Sequence, residues 1–208
     1  MNKGIDISSW QGANVDFVRV KQSGIDFVIL KAGGSDSKSG NYTDKYFNQN
    51  YERAKAAGLN VGAYYFVGAS CKSAERGAED AIKFADIIKG KQFEYPVCMD
   101  FEAPSILNKR GNTDAAITFC ACMESWGYYV SIYASDISGF KSRLYLDDLK
   151  AYDKWVARYG SSPKYVKSYG IWQYSSKGSV PGIKGNVDMD YSYKNYPQIM
   201  RSKHLNGF

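Results

Sequence analysis

The chain has 208 residues, 44% of them hydrophobic, which is enough for one well-buried core and short for two domains. Its formal net charge of +6 favours an anionic partner, but no run of five Lys or Arg residues occurs, which disfavours nucleic acid. No apolar run approaches the ~20 residues of a membrane span, so we expect no membrane insertion.

Cysteine and histidine are scarce and restrict the chemistry. The four cysteines match no zinc or redox motif, and free, mostly buried thiols are expected rather than disulfides. The one histidine, His204, falls in a polar C-terminal segment. Ser-His-Asp and Cys-His catalysis therefore lack a base, and an ordinary histidine metal site lacks a ligand, so we expect neither metal nor cofactor.

The predicted elements alternate between strand and helix from the N-terminus. Gly4 to Ser8 alternates in polarity and predicts a first strand with Asp6 on its polar side. Asn14 can cap the helix that follows. Asp26 to Ala32 is apolar on both faces, which is typical of a central parallel strand, and Gly33-Gly34 is predicted to be loop.

The next units repeat this order. Asp44 is predicted to cap a helix, and Asn60 to Val67 is predicted as a third strand that delivers Tyr64 and Tyr65 near its end. Ser73 is predicted to open a further helix.

Tyr95 to Glu102 is the most informative segment, because it predicts a buried strand that ends in two acids. Alternation sends Cys98, Asp100 and Glu102 to one face of the strand. The Cα atoms of two residues so spaced lie ~6.8 Å apart, so their carboxylates oppose each other's ionisation in a partly dry cleft. One of the two acids is therefore a candidate proton donor near neutral pH.

The pattern changes in the last third of the chain. Asn112 or Thr113 is predicted to cap a helix, and Tyr128 to Ala134 is predicted as a fifth strand carrying Tyr133. Three strands are predicted to follow, namely Lys154 to Tyr159, Gly170 to Ser175 and Gly185 to Tyr191. Five βα units followed by three strands predict an irregular TIM-like α/β barrel. We expect this barrel to occupy residues 1–200, with 201–208 as a tail or the start of a linker.

Seven segments carry a recognisable pattern in order along the chain. They are G-I-D-I-S-S-W-Q-G (Gly4 to Gly12), K-A-G-G after the second strand, A-G-L-N-V-G-A-Y-Y-F (Ala57 to Phe66), P-V-C-M-D-F-E (Pro96 to Glu102), W-V-A-R-Y (Trp155 to Tyr159), I-W-Q-Y-S-S (Ile171 to Ser176) and P-G-I-K-G-N-V-D-M-D (Pro181 to Asp190). Over residues 4–193 the chain thus resembles the lysozymes of glycoside hydrolase family 25, the muramidases of phages, bacteria and fungi.

The resemblance implies hydrolysis of the β-1,4 bond between N-acetylmuramic acid and N-acetylglucosamine in bacterial peptidoglycan. By position, Glu102 matches the family's general acid and Asp100 its companion carboxylate. Asp6 and Asp188 match two further acids of the cleft. Alternation aims Asp188 and Asp190 the same way, so only the resemblance favours Asp188.

Further residues are substrate-binding candidates through the same resemblance. Many relatives have His at the positions of Tyr65 and Arg158, which leaves contacts with individual sugars open. Tyr64 and Tyr65 point to opposite faces of their strand, so one of them is expected to pack in the core. Trp10 and Trp126 are assigned to core or loop packing. The substrate-binding candidates are Tyr64, Tyr65, Tyr133, Arg158, Trp172 and Gln173.

The mechanism follows from the acid pair and the substrate. Glu102, with its pKa raised by neighbouring carboxylates and burial, is expected to protonate the glycosidic oxygen. The spacing on one strand does not distinguish a direct nucleophile, inversion through water and assistance by the substrate. Because the sugar carries a 2-acetamido group, we favour a retaining, substrate-assisted reaction in which Asp100 orients that amide.

Two alternatives remain, a non-catalytic peptidoglycan-binding barrel and a chitinase-type or N-acetylglucosaminidase-type hydrolase. Loss of Asp100 or Glu102 would mark the first, and both are present. The N-terminus shows no hydrophobic signal region, so we expect synthesis in the cytoplasm of a bacterial host and action on the wall after release, as for a phage or prophage endolysin. Since no wall-binding repeats follow, we expect either a separate wall-binding domain outside this chain or a charged surface that alone supplies affinity for the wall.

Overall fold

A computed structural model describes residues 1–36 and 40–208. The described strands are β1 (Asn2–Ile7), β2 (Phe27–Asp36), β3 (Gly40–Thr43), β4 (Asn60–Phe66), β5 (Val97–Asp100), β6 (Val130–Ser135), β7 (Asp153–Ala157), β8 (Ile171–Gly178) and β9 (Val187–Ser192). The α-helices are α1 (Phe17–Gln22), α2 (Phe47–Ala56), α3 (Ala74–Ile88), α4 (Lys109–Ser125) and α5 (Tyr196–Lys203).

Eight of these strands close into a barrel. The order is β1-β9-β8-β7-β6-β5-β4-β2, and β2 pairs back with β1. Neighbours from β1 through β2 and β4 to β8 run parallel, whereas β9 is antiparallel to both β8 and β1. The predicted irregular TIM-like barrel is confirmed. In its fifth unit, β6 is followed by a π-helical turn, Asp136–Lys141, and a 3-10 turn, Leu146–Leu149, instead of an α-helix.

Alternation along the strands builds two hydrophobic layers. Outward side chains such as Val97, Met99 and Phe101 pack beneath the helices. Inward side chains such as Cys98 and Trp155 fill the barrel. The predicted faces of the acidic strand are therefore confirmed, and Asp100 and Glu102 lie on the inward side at its carboxyl end.

Several predicted boundaries were wrong for identifiable reasons. Asn112 and Thr113 are buried inside α4, where their side chains donate to backbone carbonyls instead of capping the helix. Strand β2 continues through Gly33-Gly34 to pair with β3. A Cβ atom on Gly33 would lie 2.2 Å from the carbonyl oxygen of Tyr42, so this glycine permits close approach of two strands.

The C-terminal segment closes the amino end of the barrel. Tyr196 and Met200 of α5 join the inner hydrophobic layer. Beyond the helix, buried Asn206 donates to the carbonyl oxygen of Tyr95 at 2.9 Å and accepts from the backbone N–H of Tyr129 at 2.8 Å. The domain boundary proposed at residue 200 thus falls inside α5, and the segment after it packs against the barrel.

We predict that Asn206→Ala lowers the free energy of unfolding by about 2 kcal/mol, because it leaves the buried Tyr95 carbonyl oxygen and the partly buried Tyr129 N–H without their partners. Asn206 also has a φ of 56°, which Asn tolerates better than Ala. Urea unfolding followed by circular dichroism measures the change. Exposed Ser202→Ala is the control and should change stability by less than ~0.5 kcal/mol. Equal stability of both variants would show that the last residues do not belong to the cooperative fold.

The described residues include no helix with the length and apolar character needed to cross a membrane. The four cysteines are unpaired, as predicted, and Cys71, Cys98 and Cys120 are buried.

Candidate active site

The four acids predicted from the sequence line one cleft at the carboxyl end of the parallel strands. The ladder places Asp6 of β1 directly opposite Asp188 of β9. Asp100 ends β5 between β4 and β6, and Glu102 follows two residues later. Residues far apart in the chain therefore meet because neighbouring strands end at the same rim.

The cleft has two lobes that share Asp6, Tyr64, Asp100, Glu102 and Asp188. The open lobe has a volume of about 330 Å³ and the deep lobe about 190 Å³. The open lobe adds Ile7, Ser8, Trp10, Gln11, Lys31 and Phe66. The deep lobe adds Tyr133, Trp155, Tyr159 and Gln173. Because the acids lie where the lobes meet, a chain molecule could continue on both sides of a bond held between them.

Asp100 and Glu102 differ in their burial and in the charges that act on them. Burial raises the pKa of Asp100 well above its usual value, Glu102 raises it further, and the Lys31 ammonium opposes both effects. Glu102 reaches solvent at the rim, yet partial burial raises its pKa too, against the charges of Lys31 and Arg143. Glu102 is thus an accessible acid that holds its proton to a higher pH than an ordinary glutamate.

A hydrogen-bonded chain positions Asp6. Gln173 Nε2 donates to Asp6 Oδ2 at 2.8 Å, while the hydroxyls of Tyr133 and Tyr159 each donate to Gln173 Oε1 at 2.9 Å. Burial, then Asp190, then Asp188 raise the pKa of Asp6 well above its usual value. Burial and Glu102 raise the pKa of Asp188.

Lys31 supplies a cation to the open lobe. Its ammonium lies 4.7 Å from the ring centroid of Phe66 and 5.8 Å from that of Tyr64. These contacts hold the charge next to the acid pair without neutralising it.

We predict that Lys31→Met moves the alkaline limb of the pH profile of kcat/KM to higher pH. Removal of the ammonium raises the pKa of Glu102 and Asp100, because Lys31 lowers both. Glu102, the candidate proton donor, then stays protonated to a higher pH. Initial rates on purified peptidoglycan, the substrate that the sequence resemblance implies, measure the limb across the pH range, with exposed Lys83→Met on α3 as the control. An unmoved limb, or one at lower pH, would contradict the electrostatic role of Lys31.

Three predicted substrate-binding residues lie outside the cleft. Tyr65 is fully buried on the helix side of the sheet, where its ring packs on Phe84. Trp172 donates its indole N–H to the Arg158 carbonyl oxygen at 2.8 Å, and neither side chain lines a lobe. The Arg158 guanidinium pairs with Asp136 at 3.0 Å. Neighbouring side chains on a strand point to opposite faces, and Gln173 points inward, so the Trp172 side chain points out of the barrel.

Tyr64, Tyr133 and Gln173 lie in the cleft, and sequence reasoning missed further cleft residues. Trp10, which we assigned to packing, is 92% exposed and lines the open lobe, so that assignment was wrong. Trp155 and Tyr159 of the W-V-A-R-Y segment line the deep lobe. Each lies two residues from inward-facing Ala157, and this spacing could have placed both side chains on the inner face of the strand.

Residues 1–36 and 40–208 contain no group of three His, Cys, Asp or Glu side chains arranged to hold a metal ion.

Comparison with known proteins places the chain in a family. Residues 5–183 match the family Glycosyl hydrolases family 25. An autolytic lysozyme of Clostridium acetobutylicum is 33% identical over 193 residues, covering 90% of this chain and 55% of the relative. Lysozyme M1 of Streptomyces globisporus is 28% identical, covering 89% of this chain and 66% of the relative. The chain therefore spans less than two thirds of the length of these curated relatives.

Solved structures agree with the sequence match. The crystal structure of the CTP1L endolysin superposes with a TM-score of 0.82 and 29% identity, covering 97% of this chain and 70% of that chain. A bacterial lysozyme from Streptomyces coelicolor gives a TM-score of 0.69 and 25% identity, covering 93% and 92% of the two chains. On the family match, the superposed barrels and the acids at the mouth of this one, the chain belongs to glycosyl hydrolases family 25.

Proposed function

We propose that the protein is a lysozyme that hydrolyses the β-1,4 bond between N-acetylmuramic acid and N-acetylglucosamine in bacterial peptidoglycan. The main support is the pair Asp100 and Glu102, placed between two lobes of one cleft in a member of this family. The relatives named as lysozymes, autolytic lysozyme and endolysin favour the same substrate. Aromatic side chains on both lobes offer faces on which sugar rings can stack.

In the first step Glu102 acts as the general acid. Its raised pKa keeps a proton available, and its exposed position lets it reach a glycosidic oxygen held at the junction of the lobes. Proton transfer to that oxygen makes the departing sugar a neutral alcohol as the bond to the anomeric carbon breaks.

The nucleophile in our proposal is the substrate's own 2-acetamido oxygen, which attacks the anomeric carbon as the leaving group departs. Asp100 accepts the amide N–H and orients the acetamido group. Its Oδ1 atom is buried and has no hydrogen-bond partner among the described residues, so it is available for that N–H. Water, deprotonated by the Glu102 carboxylate, then opens the cyclic intermediate and leaves the anomeric configuration retained.

The proposed setting is the bacterial wall, reached after release from the cell as by a phage or prophage endolysin. The net charge of +6 supports adhesion to an anionic wall, and relatives longer than this chain are consistent with a separate wall-binding domain.

Digestion of purified peptidoglycan, followed by mass analysis of borohydride-reduced fragments, tests the function. We expect N-acetylmuramic acid at the new reducing ends. N-acetylglucosamine there would instead indicate the glucosaminidase-type alternative, and the absence of fragments would favour the non-catalytic barrel. NMR of the anomer first formed tests the second step, since an inverted product excludes acetamido assistance.

A further inference from the structure

Asp190 lies beneath the cleft and touches two of its components. On β9 it is two residues deeper in the barrel than Asp188, beside Gln173 of β8, and it is fully buried. Its Oδ1 atom accepts the indole N–H of Trp155 at 2.8 Å. Asp190 lines neither lobe, so it has no contact with a substrate held there.

The second oxygen of Asp190 requires a partner. Oδ2 is buried, and no N–H or hydroxyl donor within residues 1–36 and 40–208 reaches it. The neighbouring group is the carboxyl of Asp6, which accepts from Gln173, the residue paired with Asp190 across β8 and β9, so the two carboxyl groups are close enough to share a hydrogen bond. Two carboxyl groups can share such a bond only if one of them carries a proton. Oδ2 of Asp190 is buried below the cleft, so water offers it no easy alternative partner.

We propose that Asp190 is a positioning residue for the reaction proposed above: it holds Asp6 as a protonated, hydrogen-bonded acid and fixes the Trp155 ring in the floor of the deep lobe. Asp6 then has both sides engaged, by Gln173 and by Asp190. It serves as a fixed wall of the cleft and is not free to act as a base.

Ring contacts of Trp155 connect Asp190 to side chains that line the cleft. The Trp155 ring lies 4.5 Å from the ring of Tyr133 and 6.1 Å from that of Tyr64, centroid to centroid. Both tyrosines line the cleft. Rotation of Trp155 after loss of its acceptor would therefore shift the surface against which a sugar ring packs.

Asp190 and Asp6 lose their protons in a definite order. Burial raises the pKa of Asp190 to about 7, although its hydrogen bonds from Trp155 and Asp6 act against the rise. Burial, Asp190 and Asp188 raise the pKa of Asp6 as well. Their shared hydrogen bond raises the pKa of Asp6 and lowers that of Asp190, so Asp190 is the first of the two to ionise as pH increases. The ionisable groups facing this pair are Lys31 (β2), Tyr64 (β4), Cys98 (β5), Tyr133 (β6), Tyr159 after β7, Tyr174 (β8) and Asp188 (β9).

The proton arrangement is tested by NMR of the wild-type indole N–H signals. The Trp155 signal, assigned by its loss in Trp155→Phe, should move downfield with a midpoint near neutral pH as Asp190 becomes a carboxylate. Asp190→Asn should abolish that movement. Asp153→Asn is the matched control, because the Asp153 side chain is also only 5% exposed and accepts from aromatic hydroxyls, but at the opposite end of the barrel. A wild-type Trp155 signal that does not respond to pH would overturn the proposal.

The catalytic consequence is tested with the same variants on purified peptidoglycan. We expect Asp190→Asn to lower kcat at least about tenfold with little change in KM and to alter the pH profile. Asp153→Asn, compared per folded molecule, should retain the wild-type profile. Wild-type rates and profile in Asp190→Asn would refute the positioning role. Failure of the wild type to release fragments would refute the proposed function instead, while the NMR titration would still decide the proton arrangement.

Discussion

Replacement of Glu102 by Gln is expected to lower the rate of peptidoglycan hydrolysis about 10³-fold, because Gln keeps the shape of the side chain but cannot donate the proton. Among the four cleft acids, Glu102 combines solvent access with a raised pKa. Release of soluble fragments, measured by chromatography, gives the rate. Binding to intact walls should be preserved, since the lobes are unchanged.

The control for this variant is Glu52→Gln, an equivalent change at an exposed site on α2. It should leave the rate unchanged. A Glu102→Gln protein that clears walls as fast as the wild type would remove Glu102 from the mechanism and return the role of acid to one of the three aspartates.

Asp100→Asn is expected to lower kcat about 10²-fold with a small change in KM. An amide cannot accept the acetamido N–H with the strength of a carboxylate, so stabilisation is lost mainly as charge develops on the sugar. Steady-state rates on soluble glycan fragments separate kcat from KM. The residual product should keep the retained configuration, because the proposed nucleophile belongs to the substrate.

Exposed Asp147→Asn serves as the control for Asp100→Asn and should behave as the wild type. A normal kcat in Asp100→Asn would exclude an orienting role. A change in KM alone would show that Asp100 binds ground state and transition state equally.

Alternation predicted the faces of the strands but not depth within the barrel. It brought Asp100 and Glu102 to one side of β5, and the structure agrees. On β9 it made Asp188 and Asp190 equivalent, and only the pairing of Asp188 with Asp6 distinguishes the rim from the interior. Strand register arises from contacts between distant segments, which a single strand's pattern does not contain.

Side chains beyond the strand ends were the least predictable. Trp10 follows β1 in a 3-10 turn, where no two-residue period applies, and it was assigned to core or loop packing although it is exposed. Arg158 lies just past β7 and pairs with Asp136, whose buried carboxylate also accepts backbone N–H groups of 164–166. An ion pair across a turn depends on tertiary contacts that composition and spacing leave open.

Both chain ends lie at the pole of the barrel opposite the acids. Strand β1 begins there at Asn2, whose side chain reaches the Tyr95 hydroxyl, and the C-terminal residues bind Gln92 in the same region. A surface, bead or second protein tethered through either terminus would therefore attach behind the cleft. Immobilised in this way, the domain would keep its cleft open toward the insoluble peptidoglycan that we propose as its substrate.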